Sequence, residues 1–462
     1  MRWPAGGGGG GKWIARPWRP RSKNLLARLS QRDGGMRRRD WAVPAATAVA
    51  GAAWYASDTL RHRGEGGRGY DLRGEVDPCS PEFMRVAGEL TGAPISAGND
   101  AELLVNGDQI FPVFLETIRG AQSTVNLLTY VYWRGEIADQ VAEALCERAR
   151  AGVEVNVLLD ALGAVKMDSE LIEDMEESGV CVRRFRPPKP YAMRRLSNRN
   201  HRKILVADGR VGMIGGVGIA EEWTGNAEDP DHWRDTHLRV RGPVVASMQG
   251  AFAENWLEAT GDVLVGEGYL PDPAPVREGG GLMQLVRSSA GVGDSNVEAL
   301  YYMAIASARR SIDLTAAYFA PRPAFVEALV RAAQRGVDVR VLVPGPHIDK
   351  SFVRVAGHAV YARLMRCGIS IWEYQPTMLH AKTMVVDGAW SSVGSVNFDN
   401  RSFQLHDEAT LCVHGEELAG LLREQLENDL QVSERIDPDR WQGRGVHQRA
   451  AEAVMTLARR EL

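Results

Sequence analysis

Two hydrophobic periods alternate along this 462-residue chain. In the stretch ARAGVEVNVLLD (149–160), the end of a helical pattern is followed by a glycine and then by apolar residues at every second position. Glycine commonly ends helices, and a period of two is typical of strands. Because such units follow one another, the pattern predicts an α/β fold whose mixed sheets are covered by helices.

The same unit occurs a second time, as AQRGVDVRVLVPG (333–345). Upstream, AQSTVNLLTYVYW resembles ARRSIDLTAAYF, and Gly152 and Gly336 lie 184 residues apart. An internal repeat of this length predicts two related structural units. We expect two pseudo-symmetric domains, over 83–268 and 280–435, that share one active-site cleft.

The two ends of the chain differ from this repeat. Residues 1–40 are rich in Gly and Arg without periodicity, which predicts a disordered basic segment. The Ala-rich stretch 41–57 is a candidate membrane anchor, with a cleaved signal peptide or a surface helix as alternatives. Residues 436–462 show the pattern of an amphipathic C-terminal helix.

Lysine is rare in this chain, at seven of 55 basic residues, yet two lysines occupy matching positions. They belong to the repeated pattern His-x-Lys-x4-Asp, formed by His201, Lys203 and Asp208 and again by His380, Lys382 and Asp387. Lysine carries a compact charge on a flexible stem, whereas arginine offers a wide planar fork. The repeated choice indicates that a compact charge is needed at both places.

The sequence around the motif predicts its local structure. The alternation in HRKILVADG predicts a strand with His201 and Lys203 on one face. Asp208-Gly209 and Asp387-Gly388 are typical of tight hairpin turns. Each of these aspartates therefore has two interpretations, as a turn residue or as an electrostatic component of the site.

Two histidines and two lysines without a carboxylate cluster favour phosphate chemistry that uses neither metal nor cofactor. Ammonium groups would repel a divalent cation and stabilise the oxygens of a phosphodiester in the transition state. One imidazole can attack phosphorus, while the other protonates the leaving group and later deprotonates the incoming hydroxyl. We expect Ser395 and Asn397, in the stretch VGSVNFDN, to bind the phosphoryl oxygens.

The doubled motif resembles that of the phospholipase D superfamily. HRKILVADGRVGMIGGVGIAEEW and MLHAKTMVVDGAWSSVGSVNFDNRSFQLHDE are most similar to the bacterial cardiolipin synthases, and the resemblance spans residues 83–435. It implies an α/β sandwich in each half and an enzyme that forms a phosphohistidine intermediate.

The resemblance also implies a buried acid, about 30 residues after each histidine, that orients an imidazole. Asp235 and Glu408 fit this spacing. In such enzymes the first histidine is usually the nucleophile, which would make His201 the nucleophile and His380 the general acid and base. One departure is Gly218, which stands where the pattern has Asn and removes a hydrogen-bond donor.

The implied activity is transfer of a phosphatidyl group between phosphatidylglycerol molecules. Hydrolysis of a lipid phosphodiester is the alternative, and a nuclease is disfavoured by the net charge of −4. The basic stretch 183–203 suits anionic phospholipids and a membrane surface. We therefore expect association with the bacterial cytoplasmic membrane, on a side that the sequence leaves open, and no nucleic-acid partner.

Overall fold

The structure, a computed structural model, describes residues 70–188, 198–290 and 296–443. The predictions for 1–40 and 41–57 lie outside these ranges, as do residues 189–197 of the basic stretch and 444–462 of the C-terminal segment. Within the described ranges, no helix combines the length and apolarity needed to cross a bilayer.

Strands of the first half precede those of the second in the chain. They are β1 Ser96–Val105, β2 Thr124–Thr129, β3 Glu154–Asp160, β4 Cys181–Phe185, β5 Arg199–Asn200, β6 Ile204–Ala207, β7 Val211–Gly215, β8 Thr236–Arg241, β9 Gly281–Ser288, β10 Ser311–Ala316, β11 Asp338–Pro344, β12 Ser370–Tyr374, β13 Lys382–Val386, β14 Trp390–Gly394, β15 His406–His414 and β16 Ser433–Arg435.

Helices connect and cover these strands. They are α1 Pro81–Thr91, α2 Asn106–Arg119, α3 Glu136–Arg150, α4 Ser169–Glu177, α5 Val245–Thr260, α6 Asn296–Ser307, α7 Pro323–Gln334, α8 Ser351–Arg366, α9 Asn400–Gln404, α10 Glu416–Gln431 and α11 Pro438–Gln442, with a 3-10 turn at Glu221–Trp223.

Outward from the β9–β1 pair, corresponding strands of the two halves follow in the same order, and β16 is an additional edge strand of the second half. The full order runs β16-β12-β11-β10-β13-β14-β15-β9-β1-β8-β7-β6-β2-β3-β4, while β5 pairs with β15. The pairs β2–β3, β3–β4, β10–β11 and β11–β12 are parallel, and the remaining pairs in this order are antiparallel. The predicted mixed α/β architecture is confirmed.

Three large hydrophobic clusters hold the layers together. One lies under the helices of each half, and the third joins the halves. In the third, Leu128 and Leu238 share a core with Val393 and Leu411. Residues of β2 are buried along the whole strand, which is typical of a parallel strand covered on both faces. The halves are therefore fixed against each other by apolar packing.

The strand order also defines one functional edge. Leu128 near the end of β2 pairs with Ile204 at the start of β6, so the end of a parallel strand lies beside the segment that carries His201. The second half repeats this, with Ala316 opposite Lys382. Both histidine segments therefore emerge at the carboxyl ends of parallel strands, where α/β folds commonly place their sites.

The hairpin turns lie at the opposite edge. Asp208 and Asp387 both have φ of 54°, in the left-handed region, and each is followed by a glycine of positive φ. The Asp208 carboxylate accepts backbone N–H bonds from residues 122–124 at 2.7–2.9 Å. Asp387 does the same for residues 309–311. The predicted turns are confirmed, and these contacts match the turn interpretation of both aspartates.

We expect Asp208→Ala and Asp387→Ala each to lower the free energy of unfolding by roughly 2 kcal/mol, because backbone donors lose a charged acceptor. Asp208→Asn and Asp387→Asn are the controls, since asparagine keeps one acceptor oxygen and tolerates positive φ. Urea unfolding followed by circular dichroism measures the change. A variant with unchanged unfolding and abolished activity would instead support an electrostatic role in the site.

Candidate active site

Each histidine segment pairs with the opposite half of the chain. β5 pairs with β15, and the His201 backbone N–H donates to the Asp407 carbonyl at 2.8 Å. In the second half, the His380 N–H donates to the Arg234 carbonyl at 2.7 Å. The prediction of a continuous strand from His201 is wrong, because β6 begins only at Ile204 and the backbone before it pairs across the halves.

The two acids are exchanged between the halves. His201 Nδ1 lies 3.1 Å from both carboxylate oxygens of Glu408, which follows the second motif. His380 Nδ1 lies 2.7 Å from Oδ2 of Asp235, which follows the first motif. Each imidazole is therefore oriented by the acid of the other half, and neither half holds a complete His–carboxylate pair.

This contact selects the state of each ring. A carboxylate beside Nδ1 favours the tautomer with the proton on Nδ1, which leaves Nε2 with a free lone pair. His201 and His380 are 8% and 5% exposed, so little water competes for this contact. Nε2 is therefore the reactive nitrogen of both rings, and at His380 this atom lies 3.0 Å from the Lys382 ammonium nitrogen.

Burial and charge set the protonation of these pairs. Burial lowers the pKa of His201 to about 3 and that of His380 to about 4, and the neighbouring lysines add to the effect while the carboxylates oppose it. Burial alone would raise the pKa of Asp235 and Glu408, but the imidazole contacts hold both below the usual range. Neutral imidazoles thus face ionised carboxylates at neutral pH.

Both motif lysines are buried beside their own histidines. Lys203 Nζ donates to the His201 carbonyl at 2.9 Å, and Lys382 Nζ donates to the His380 carbonyl. Burial lowers the pKa of Lys203 to about 8 and that of Lys382 to about 7. The Lys203 charge also lowers the pKa of His380, so the two motifs act on one another electrostatically.

Ser395 and Asn397 have different surroundings. The Ser395 hydroxyl donates to Glu408, and its carbonyl oxygen lies 3.1 Å from His201 Nδ1. Ser395 therefore holds the acid that orients His201. Asn397 is 2% exposed, and its Oδ1 has no hydrogen-bond partner among the described residues. This oxygen is an acceptor, so a contact between Asn397 and a phosphoryl oxygen would have to use its Nδ2 donors instead.

Trp223 explains the departure at Gly218. A Cβ at Gly218 would lie 2.8 Å from Val131 and 3.1 Å from the Trp223 ring, so a larger residue has no room there. The Trp223 indole N–H donates to Asp235 Oδ2 at 2.9 Å. It thereby supplies to Asp235 the hydrogen bond that Ser395 supplies to Glu408.

Aromatic rings surround both histidines. Trp223 and Trp233 lie 5.1 and 5.6 Å from the His380 ring centroid, and Tyr130 lies 5.2 Å from that of His201. His406 also packs against His201, at 5.5 Å. Sequence reasoning assigned none of these rings a role around the histidines, because aromatic residues outside the motif show no period that marks a site.

Arg202 is a further buried residue whose role was not predicted. It is fully buried, and its guanidinium donates to the carbonyls of Ala251 and Ser288 at 3.0 and 2.8 Å. It also donates to the Glu408 carbonyl at 3.2 Å. Arg202 therefore ties the first motif to the second half and helps to hold the acid that orients His201.

The lysine pKa values predict an alkaline limit to activity. Because each is lowered by burial, the positive charge is present below about pH 7 and is lost as pH rises through about 8. We expect kcat/KM on detergent-dispersed lipid to fall above pH 8. In a plot of log(kcat/KM) against pH, the downward slope should approach two. Lys382→Arg should lower kcat/KM at every pH, because a wide fork replaces a compact charge, and its remaining activity should fall with a slope of one because the guanidinium stays charged. Constant kcat/KM up to pH 10 would contradict the assignment.

Comparison with solved structures supports the architecture. Phosphatidylserine synthase of Haemophilus influenzae Rd KW20 superposes with a TM-score of 0.58 over 83% of this chain and 100% of that chain, at 13% identity. A polyphosphate kinase of Porphyromonas gingivalis gives a TM-score of 0.51 over 85% of this chain and 57% of that chain, at 14% identity. At these identities the likeness concerns the fold.

Sequence comparison identifies the family. The family model described as cardiolipin synthase, PLD-like domain, matches residues 114–246 and 301–430. Cardiolipin synthase of Geobacillus kaustophilus (strain HTA426) is 35% identical over 82% of this chain and 76% of the relative. Cardiolipin synthase 2 of Bacillus anthracis is 33% identical over 81% and 73%. The predicted resemblance is confirmed: the chain belongs to the cardiolipin synthase family of proteins with phospholipase D-like domains.

Proposed function

We propose that this protein transfers a phosphatidyl group from one phosphatidylglycerol to a hydroxyl of a second, which yields cardiolipin and glycerol. The observation that carries the proposal is the pair of buried imidazoles, each held at Nδ1 by a carboxylate and accompanied by a buried lysine. Such a pair provides a nucleophile, a proton carrier and positive charge in one site.

In the first step, Nε2 of His201 attacks phosphorus and a phosphorus–nitrogen bond forms. The phosphorus–oxygen bond to the headgroup glycerol breaks, and His380 donates its proton to the departing oxygen. Arrival of the anionic phosphate favours the protonated form of His380 beforehand. The products are a phosphatidyl–His201 intermediate and free glycerol.

In the second step, a hydroxyl of another phosphatidylglycerol loses its proton to Nε2 of His380. Its oxygen attacks phosphorus, and the phosphorus–nitrogen bond breaks. Cardiolipin leaves, while His201 becomes neutral and His380 is again protonated. The order of the two histidines follows the family resemblance, since their surroundings in this structure are similar.

The other predicted site residues have supporting roles in this scheme. Lys203 and Lys382 stabilise charge on the phosphoryl oxygens, and Asn397 would contact these oxygens through its Nδ2 donors. Asp235 and Glu408 hold the imidazoles, Ser395 acts through Glu408, and Asp208 and Asp387 stabilise the hairpins. Anionic phospholipids are the proposed partners, and the bacterial cytoplasmic membrane is the proposed location.

Incubation of the purified protein with phosphatidylglycerol, with and without phosphatidylethanolamine, tests this function by mass spectrometry of the products. We expect cardiolipin and glycerol in equal amounts. His201→Asn should abolish both products and any covalent lipid label. His380→Asn should slow both steps, since an amide neither donates nor accepts a proton near neutral pH. Phosphatidic acid as the main lipid product would show hydrolysis and would overturn the transferase proposal.

A further inference from the structure

The four lysines in the described ranges form two symmetric pairs. One pair is Lys203 and Lys382. The other is Lys166 and Lys350, which each lie six residues after the last residue of equivalent strands, β3 and β11. These two are separated by 184 residues, the same interval as the repeat itself. An arginine-rich chain thus keeps lysine at a second pair of matching positions.

The first of these lysines lies on an exposed apolar loop, 161–167. Val165 is 69% exposed and Leu162 is 37% exposed, next to exposed Lys166. The loop rests on Trp133, whose indole N–H donates to the Gly163 carbonyl at 2.8 Å and whose ring lies 3.7 Å from Lys166 Nζ. The Trp133 ring in turn contacts Trp223, beside His380, at 6.3 Å.

The second loop, residues 345–350 together with the first two residues of α8, reaches the same histidine from the other half. Its Ile348 packs in a small apolar cluster together with Trp233, which contacts His380. Lys350 is exposed, with Nζ 4.8 Å from the Tyr318 ring. Phe352, at the start of α8, is 44% exposed. The two loops, called the rim loops below, therefore both border the site.

The chemistry of these loops suits one kind of partner. Lysine stems lie along apolar surface while their charges stay at the level of lipid phosphates. Loop 161–167 contains no acid, and the single acid of the other loop, Asp349, accepts the Tyr318 hydroxyl at 2.8 Å. Exposed aliphatic and aromatic side chains beside such charges favour the interface of an anionic bilayer.

We infer that the two rim loops form the surface that docks on an anionic bilayer. Lys166 and Lys350 would contact lipid phosphates, while Leu162, Val165 and Phe352 enter the interface. This rests on the proposed function, because a lipid phosphate must reach nearly buried histidines while its acyl chains stay in the membrane. Docking by both loops would hold the site directly over the lipid headgroups.

Hydrogen exchange of the full chain, followed by mass spectrometry, tests this inference. Vesicles of phosphatidylcholine with phosphatidylserine supply an anionic surface without the proposed substrate. We expect both rim loops to exchange more slowly with these vesicles than with phosphatidylcholine alone. Loop 261–268 is the internal control, since its Val263 and Val265 are 69% and 75% exposed and its Gly268 carbonyl accepts from Thr124 at the start of β2, opposite the histidine edge. Unchanged exchange in both rim loops would overturn the inference.

Charge variants sharpen the test. Lys166→Gln and Lys350→Gln should each raise the vesicle concentration needed for half-maximal protection about fivefold. The double variant should raise it about 25-fold. The matched control is Arg85→Gln on α1 with Arg210→Gln in the hairpin turn at the opposite edge, which removes two exposed charges outside the rim loops. If this control weakened vesicle protection as much as the double lysine variant, the response would be to total charge, and docking through the rim lysines would be refuted.

Soluble short-chain phosphatidylglycerol separates docking from catalysis. If it protects the rim loops without any bilayer, the loops bind a single headgroup and the docking inference is wrong. Conversion of this soluble lipid by the unmodified protein reports on the proposed chemistry without docking. Failure of that conversion would count against the proposed function, even where vesicles protect both rim loops.

Discussion

Two carboxylate–imidazole contacts that cross between the halves of the chain determine the architecture of the site. Glu408 orients His201, and Asp235 orients His380. Because the partners are more than 140 residues apart in sequence, the contacts exist only when both halves are folded and packed together. The chain duplicates its sequence but builds a single composite site.

The surrounding structure is arranged to keep these contacts buried. Removing charges from water is costly unless partners and hydrogen bonds compensate. Arg202 helps to fix the Glu408 segment, and Arg234, whose carbonyl receives the His380 N–H, makes two 3.0 Å bonds to Asp429. The apolar cluster between the halves excludes water from the same region. Stability and chemistry therefore depend on the same interface.

Much of this arrangement follows from sequence pattern. The repeat and its periodicity predict the α/β halves, and the doubled motif identifies the histidines and lysines. The exchange of acids could not be predicted, since each acid lies nearer in sequence to the histidine that it does not orient. Trp223 and Arg202 were missed for a related reason. Their roles arise from contacts between distant segments, and a single tryptophan or arginine outside a motif has no periodic signal.

Nitrogen-15 NMR of histidine-labelled protein tests the crossed pairing most directly. In the intact protein we expect strongly hydrogen-bonded Nδ1–H signals from His201 and from His380, each assigned by its loss in His201→Asn or His380→Asn. Asp235→Asn should weaken the His380 signal and leave that of His201 in place, whereas Glu408→Gln should do the reverse. If each substitution instead changed the histidine of its own half, the composite site described here would be contradicted.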